Sequence, residues 1–156
     1  IEAQGNEGTV KEILLFHTII QTVDLRTIYI PNGQMSTSVV INRSKSNIRQ
    51  VQWIVSIEYG NNIAHAKEVI QACLDAESRL IRVPTTDAGE RLEPFFIEVT
   101  NLNTSSVDLT VRAYVKSADY WDVRFKMNEA LYAALTADPA LNIPFPTETV
   151  HIVKDN

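Results

Sequence analysis

Residues 28–34 read Ile-Tyr-Ile-Pro-Asn-Gly-Gln, an apolar strand that runs into a rigid turn. Pro31 fixes its own φ and has no N–H to give to a sheet, while Asn32 and Gly33 adopt positive φ at the least cost. The stretch therefore predicts that a β-strand stops here and that the chain turns into a new element. Since Pro-Asn-Gly occurs in many unrelated loops, these residues alone predict a turn and no chemistry.

The residues before this turn predict a small β domain. Residues 9–21 form a long β-branched run whose two alternating sets are both largely apolar, which predicts one strand covered on both faces. Residues 23–26 are a plausible hairpin link to the strand that precedes the turn. The polar stretch at 42–47 then marks a boundary, and we place the first domain at residues 1–46.

The residues after this boundary predict a mixed domain. Alternating apolar and polar residues indicate strands, and apolar residues at helical spacing indicate helices, each with a polar residue that can cap its start. The order β-α-β-β-α is that of a split βαβ, ferredoxin-like domain, so the predicted fold class is α+β. The predicted elements are strands at 51–59, 95–99 and 107–115, a helix capped by Asn61 or Asn62, and a helix capped by Asp119 that ends at Pro139, within a domain at 47–142.

Composition and charge restrict the class of protein. At 156 residues and 45% hydrophobic content, the chain suits one ordinary globular domain or two small ones. The formal net charge of −5 comes from residues 61–156, where nine basic groups face fourteen acidic ones. Nucleic-acid binding, which requires clustered Lys and Arg, is therefore disfavoured. The chain starts at Ile1 without a leader and has no apolar run of about 20 residues, so we expect a soluble piece of a longer protein.

The residue types that usually carry catalysis do not form a recognisable pattern. His17, His65 and His151 have no second His at i,i+4 and no partner at metal-ligand spacing, so we predict no metal and no cofactor. His65 and Glu68 share a helix face, which is typical of a solvated surface. The single cysteine, Cys73, lies at an apolar helix position and is expected in the core.

Two charged clusters also have ordinary interpretations. The carboxylates Asp87, Glu90 and Glu93 fall in one loop, where a solvated acidic loop is favoured over an acid-base pair. The basic residues at 43–49 lack the interleaved aromatic residues of a nucleic-acid platform and are read as linker charge. We therefore predict that the chain is not an enzyme and has no catalytic residues.

The second predicted helix is apolar on two sides. Trp121, Phe125 and Tyr132 form an aromatic stripe that is offset from the Val123 and Met127 face. A helix with two apolar sides needs two partners, and an exposed stripe would be a large apolar patch. We expect this stripe to pack against another subunit or the first domain.

Five short strings stand in a fixed order along the chain. They are Gly5-x-x-Gly8-Thr9-Val10-x-x-Ile13, Ile30-Pro31-Asn32-Gly33, Tyr59 with Ala66-Lys67, Ala118-Asp119-Tyr120-Trp121, and Ile143-Pro144-Phe145-Pro146. In this order and at these separations, they resemble the cytosolic portion of the small-conductance mechanosensitive channel family. The resemblance covers essentially the whole chain.

The resemblance implies a homo-oligomeric, heptameric cage below a membrane pore, on the cytoplasmic side of a bacterial inner membrane. An Sm-like, barrel-type β domain would lie next to the membrane, and the α/β domain would form the vestibule wall. Residues 143–156 would be a proline turn and a strand whose Val150 and Ile152 fill the axis of a parallel barrel made by all the copies. The membrane helices would precede this chain, which by itself would not conduct.

Other classes of protein remain open from the residues. One alternative is a free-standing ferredoxin-like domain that binds a small ligand or acts as an enzyme, which predicts a pocket with converging polar groups and perturbed carboxylates. Another is a small-barrel RNA-binding module, which the charge disfavours.

Overall fold

The computed structural model describes residues 1–145 as two compact units, which separate between Asn47 and Ile48. Each unit has its own cluster of buried apolar residues. The α+β class and the order of a small β domain before a ferredoxin-like part are confirmed, although the β domain also contains a short helix.

The first unit contains two three-stranded antiparallel sheets and one short helix. The sheets have the orders β2-β1-β6 and β3-β4-β5. Among the described residues of one chain they stay open and form no closed barrel. The elements are β1 (Glu2–Ala3), β2 (Asn6–Glu7), β3 (Thr9–Ile13), β4 (His17–Gln21), β5 (Thr27–Pro31), α1 (Asn32–Thr37) and β6 (Val40–Ile41).

The single strand predicted over residues 9–21 is wrong. The segment is a hairpin, with a turn between β3 and β4 that the Leu14 N–H closes by donating to the His17 carbonyl at 2.8 Å. Leu15 and Phe16 at this turn are 82% and 72% exposed, so the strand is not covered on both faces. The turn contains no Gly, Pro or Asn, and its apolar residues therefore resembled a continuous strand. The predicted hairpin link at residues 23–26 is confirmed.

The predicted stop at the Pro-Asn-Gly stretch is correct, but the element that follows is a helix. Strand β5 ends at Pro31 and α1 begins at Asn32. Neither Asn32 nor Gly33 has positive φ, so the chain turns here without the left-handed conformation that these residue types accept at low cost. The fixed φ of Pro31, −57°, is compatible with a residue that immediately precedes a helix.

The second unit is an antiparallel sheet of order β7-β9-β8 with helices α2 and α3 packed on one face. Asn62 caps α2, since its Oδ1 accepts from the Ala64 and His65 N–H groups. Asp119 is the N-cap residue of α3, as predicted, but it also ends a 3-10 turn and its side chain makes no capping hydrogen bond. The elements are β7 (Ile48–Ile57), α2 (Ile63–Ala76), β8 (Phe95–Leu102), β9 (Val107–Lys116), the 3-10 turn (Ser117–Asp119) and α3 (Tyr120–Ala137).

The end of α2 is tied to α3 by a buried carboxylate. Glu77, 5% exposed, accepts from the Arg79 side chain through both oxygens, at 2.9 and 3.2 Å, and from the Lys126 ammonium on α3 at 3.1 Å. These hydrogen bonds, above all those from Arg79, lower the pKa of Glu77 to about 2. The carboxylate therefore stays charged in the folded unit.

We predict that Gly8→Ala destabilises the first unit while Gly33→Ala does not. A Cβ at Gly8 would lie 2.7 Å from the Gln21 carbonyl oxygen, so β4 must shift, at a cost of about 1–3 kcal/mol. At Gly33 a Cβ meets nothing within 4 Å, and alanine favours a helix. Urea unfolding followed by circular dichroism measures the free energy of unfolding of both variants. An equal loss of stability in the two variants would contradict the proposed close contact at Gly8.

We predict that Glu77→Gln lowers stability at neutral pH by about 1–3 kcal/mol, because Arg79 and Lys126 lose a charged acceptor. The pKa of Glu77 is about 2 in the folded chain and lies near its usual value when unfolded. Its stabilisation is therefore fully present above that usual value and is lost as the pH falls toward 2. Thermal unfolding between pH 7 and pH 3 should show a smaller acid-induced loss in the variant. If the variant lost stability between pH 7 and pH 3 as steeply as the unchanged chain, Glu77 would not be the source of that loss.

Candidate assembly surfaces

The described residues contain no group of three His, Cys, Asp or Glu side chains that could hold a metal ion. His65 is not simply a solvated helix residue: its Nε2 lies 2.7 Å from Asp138 Oδ2, and its Nδ1 lies 3.8 Å from Glu68. A hydrogen bond from the Ala140 N–H and the contact with His65 lower the pKa of Asp138. The cluster fastens the segment after α3 to the start of α2. His151 lies outside the described residues.

The carboxylates have the electrostatics of structural groups. The pKa of Asp108 is lowered because its oxygens accept from the Ser56 hydroxyl at 2.6 Å and the Asn103 amide at 2.7 Å. Every resolved carboxyl shift in the described chain is downward, which favours the charged form of these carboxylates. The acidic loop is instead shaped by a backbone bridge between Thr85 and Arg91.

The cysteine and two of the basic residues singled out from the sequence contact residues of their own units. Cys73 packs at the edge of the second unit's core, where burial raises the pKa of its thiol. The guanidinium of Arg43 pairs with Glu2, and that of Arg49 lies 3.7 Å over the ring of Tyr120. These contacts engage the basic residues within their own units.

Asn32 fastens the β3–β4 turn, a role that its sequence context did not reveal. Its amide nitrogen donates to the carbonyls of Leu14 at 2.8 Å and Leu15 at 3.1 Å. Its amide oxygen accepts from the Thr18 hydroxyl at 2.8 Å, and its backbone N–H donates to the Phe16 carbonyl at 2.8 Å. One residue thus satisfies three carbonyls of a turn that has no turn-forming residue of its own.

The turn that Asn32 holds is an apolar surface. Residues 13–16, Ile-Leu-Leu-Phe, are consecutive and all exposed. We call them the hairpin tip. Four adjacent exposed apolar side chains on a fixed backbone are typical of a surface that contacts another apolar surface.

The aromatic stripe lies on the open side of α3. Trp121 and Phe125 stack with ring centroids 5.7 Å apart, and Tyr132 further along the helix is 65% exposed. The opposite side of the helix is buried in the core through Val123, Met127, Leu131 and Leu135. The sequence correctly predicted that this helix has two apolar sides, and a partner for the stripe stays a prediction.

An open groove runs along β7 beside α3. Its larger part, of about 660 Å³, is lined by Trp53 to Ser56, the β8–β9 turn, Tyr132 and the segment 143–145. Its smaller part, of about 370 Å³, extends toward Gln50 and Arg124. Pro144 and the exposed Phe145 form part of its wall. Pro146, Val150 and Ile152 lie outside the described residues.

These observations define a class: an α+β module of two units that exposes apolar surfaces. Among the described residues, none of the helices combines the length and the apolar composition of a membrane span. The β-domain of mechanosensitive ion channels matches residues 1–45, and the C-terminal domain of the mechanosensitive ion channel MscS matches residues 51–138. The chain belongs to the MscS family of mechanosensitive ion channels, a family of channels and not of enzymes.

Individual relatives agree with this assignment. The chain is 31% identical to a small-conductance mechanosensitive channel of Edwardsiella ictaluri over 97% of its own length, and spans 50% of that relative. The crystal structure of Helicobacter pylori MscS in a closed state superposes with a TM-score of 0.85 at 26% identity, covering 99% of this chain and 57% of that one. Arabidopsis thaliana MSL1, with a TM-score of 0.68 at 13% identity over 94% of this chain and 51% of that one, shares the fold. The chain thus spans about half the length of its relatives.

We predict that Asn32→Ala loosens the hairpin tip without unfolding the first unit. Losing the side-chain bonds to Leu14, Leu15 and Thr18 should cost about 1–3 kcal/mol. Hydrogen exchange should accelerate at the backbone amides of the turn and of Thr18, and less in β1 and β2.

The matched control is Gln34→Ala, an exposed position in the same helix. Equal exchange at the turn in the two variants would show that Asn32 does not hold the tip.

Proposed function

We propose that this chain is the cytosolic vestibule region of a mechanosensitive channel that releases ions and small solutes when membrane tension rises. The observation that carries the proposal is the match of the β-domain and the MscS C-terminal domain, in that order, to residues 1–45 and 51–138. Half of each curated relative lies outside the aligned region. The conducting part of the protein belongs to that other half, and this region filters what reaches it.

In this proposal, the first unit is the part of the chain that lies next to the membrane. Its hairpin tip is an exposed apolar surface held rigid by Asn32, which suits contact with a hydrophobic environment. The region lies on the cytoplasmic side of a bacterial inner membrane. Pro31, Asn32 and Gly33 have an architectural role in this arrangement and no chemical one.

The vestibule is a homo-oligomer of seven copies. Trp121, Phe125 and Tyr132 form a contact between neighbouring α/β units, because their exposed rings lie opposite the buried face of α3. Pro146, Val150 and Ile152 lie outside the described residues, and a C-terminal strand after Pro144 and Phe145 that packs at the axis of a shared barrel stays a prediction from the resemblance. The comparisons give no support to the alternative of a free-standing ligand-binding or enzymatic domain.

The proposal is tested with the full-length protein in a bacterial strain that lacks mechanosensitive channels. We expect tension-gated currents in excised membrane patches and survival of hypo-osmotic shock. The double variant Trp121→Ala, Phe125→Ala should lower the molar mass of the purified channel by light scattering and reduce survival, because the stripe loses its apolar contact.

The control is Leu102→Ala, an exposed apolar residue outside the stripe, which should behave like the unchanged protein. Absence of tension-gated current from the correctly inserted full-length protein would overturn the proposed function. Unchanged molar mass and thermal midpoint in the double variant would overturn only the role of the stripe.

A further inference from the structure

Strand β7 is a long edge strand. It pairs with β9 over ten residues, from Ile48 opposite Lys116 to Ile57 opposite Val107, and the sheet order places it at the outside. No other strand of the described residues pairs with its outer side. In an antiparallel strand, alternate residues direct their N–H and C=O groups away from the partner, so β7 presents a row of backbone donors and acceptors.

The path of the chain explains why no described strand pairs with this edge. In a complete split βαβ unit, a further strand follows the second helix, and here the chain does return from α3 to the end of β7. The Glu58 N–H donates to the Asn142 carbonyl at 3.0 Å, and the Asn61 amide donates to the same carbonyl at 3.0 Å. Two residues later comes Pro144, which has no N–H for a ladder. The chain thus reaches the open edge and continues with a residue that cannot donate to it.

The groove beside α3 lies at this edge. Trp53 and Val55 belong to the helix-covered face of the sheet, and Ile54 and Ser56 belong to the opposite face, yet all four line the larger cavity. Residues from both faces of one strand meet in a single cavity only where that strand is open at its side. The smaller cavity shares Trp53 and Ile54 with the larger, so the groove follows β7 from Gln50 to Ser56.

We propose that an extended segment of a second copy of this chain pairs with the outer edge of β7 and fills the groove. The inference rests on the proposed function, in which the copies form a ring. A heterologous ring contact joins two different surfaces of neighbouring copies, and strand addition supplies backbone bonds together with pockets for alternate side chains.

Three observations favour a second copy as the occupant. The groove is continuous with the aromatic stripe, because Tyr132 belongs to both. Its mouth is apolar, with Ile54 62% exposed. At the other end lie the cations Arg49, over the ring of Tyr120, and Arg124. These suit a carboxylate from a chain whose formal net charge is −5.

Hydrogen exchange resolved by residue tests the pairing directly. In β7, the alternate amides bonded to β9 should exchange slowly in every sample. The outer amides should exchange roughly tenfold or more slowly in the full-length oligomer than in the 156-residue chain diluted until light scattering shows a monomer. Fast outer amides in the oligomer would overturn the proposal, since the edge would then be open. Slow outer amides in the dilute monomer would also overturn it, since the chain would then cover its own edge.

A charge placed in the groove separates pairing from folding. Ile54→Lys should remove the outer protection and lower the molar mass of the oligomer, because lysine on an edge strand opposes pairing. The control Val83→Lys changes an exposed residue that does not line the groove and should do neither. Slow inner amides in Ile54→Lys show that the sheet is still folded. If the full-length channel gates and Ile54→Lys keeps its outer protection, this inference fails while the proposed function stands.

Discussion

The antiparallel pairing of β7 with β9 is the constraint on which the second unit depends. Its register places Val51, Trp53 and Val55 on the face that α2 and α3 cover, opposite buried residues of β9. Because side chains alternate along a strand, a slip of one residue would move this whole set to the open face. The buried side of α3, formed by Val123, Met127, Leu131 and Leu135, belongs to the same core as this covered face. The aromatic stripe is exposed because the opposite side of α3 packs against the sheet.

Sequence periodicity predicted the second unit well because its long strands and helices each bury mainly one face in the core between sheet and helices. Alternation in β7 and β9 and helical spacing in α2 therefore carry their burial pattern in the residues themselves. The same reasoning failed at residues 9–21, where the turn has no turn-forming residue and is held by Asn32. That stabilisation comes from a residue 16 to 18 positions away in sequence, and no local pattern contains it.

The candidate surfaces also fall into two groups: those that a local sequence pattern predicts and those that depend on residues distant in sequence. The stripe of Trp121, Phe125 and Tyr132 was visible from spacing, because one helix presents all three. The contact between His65 and Asp138 joins residues 73 apart, and the groove depends on which strand lies at the sheet edge. One signal did exist for the groove. The sequence contains three strands of a ferredoxin-like unit before a proline-rich run, and a proline cannot donate to the place of a fourth strand.

The two units differ in how much of their apolar surface they bury alone. The second has a core of two helices on a sheet, whereas the first fully buries only Ala3, Ile20 and Ile30 and leaves the hairpin tip exposed. A domain of about 50 residues buries a smaller share of its surface than a larger one, so its stability alone is marginal. In the assembly proposed for this chain, neighbouring copies and a membrane part would supply additional contacts. Association then stabilises the folded first unit by mass action, so its folding and the assembly of the vestibule are thermodynamically linked.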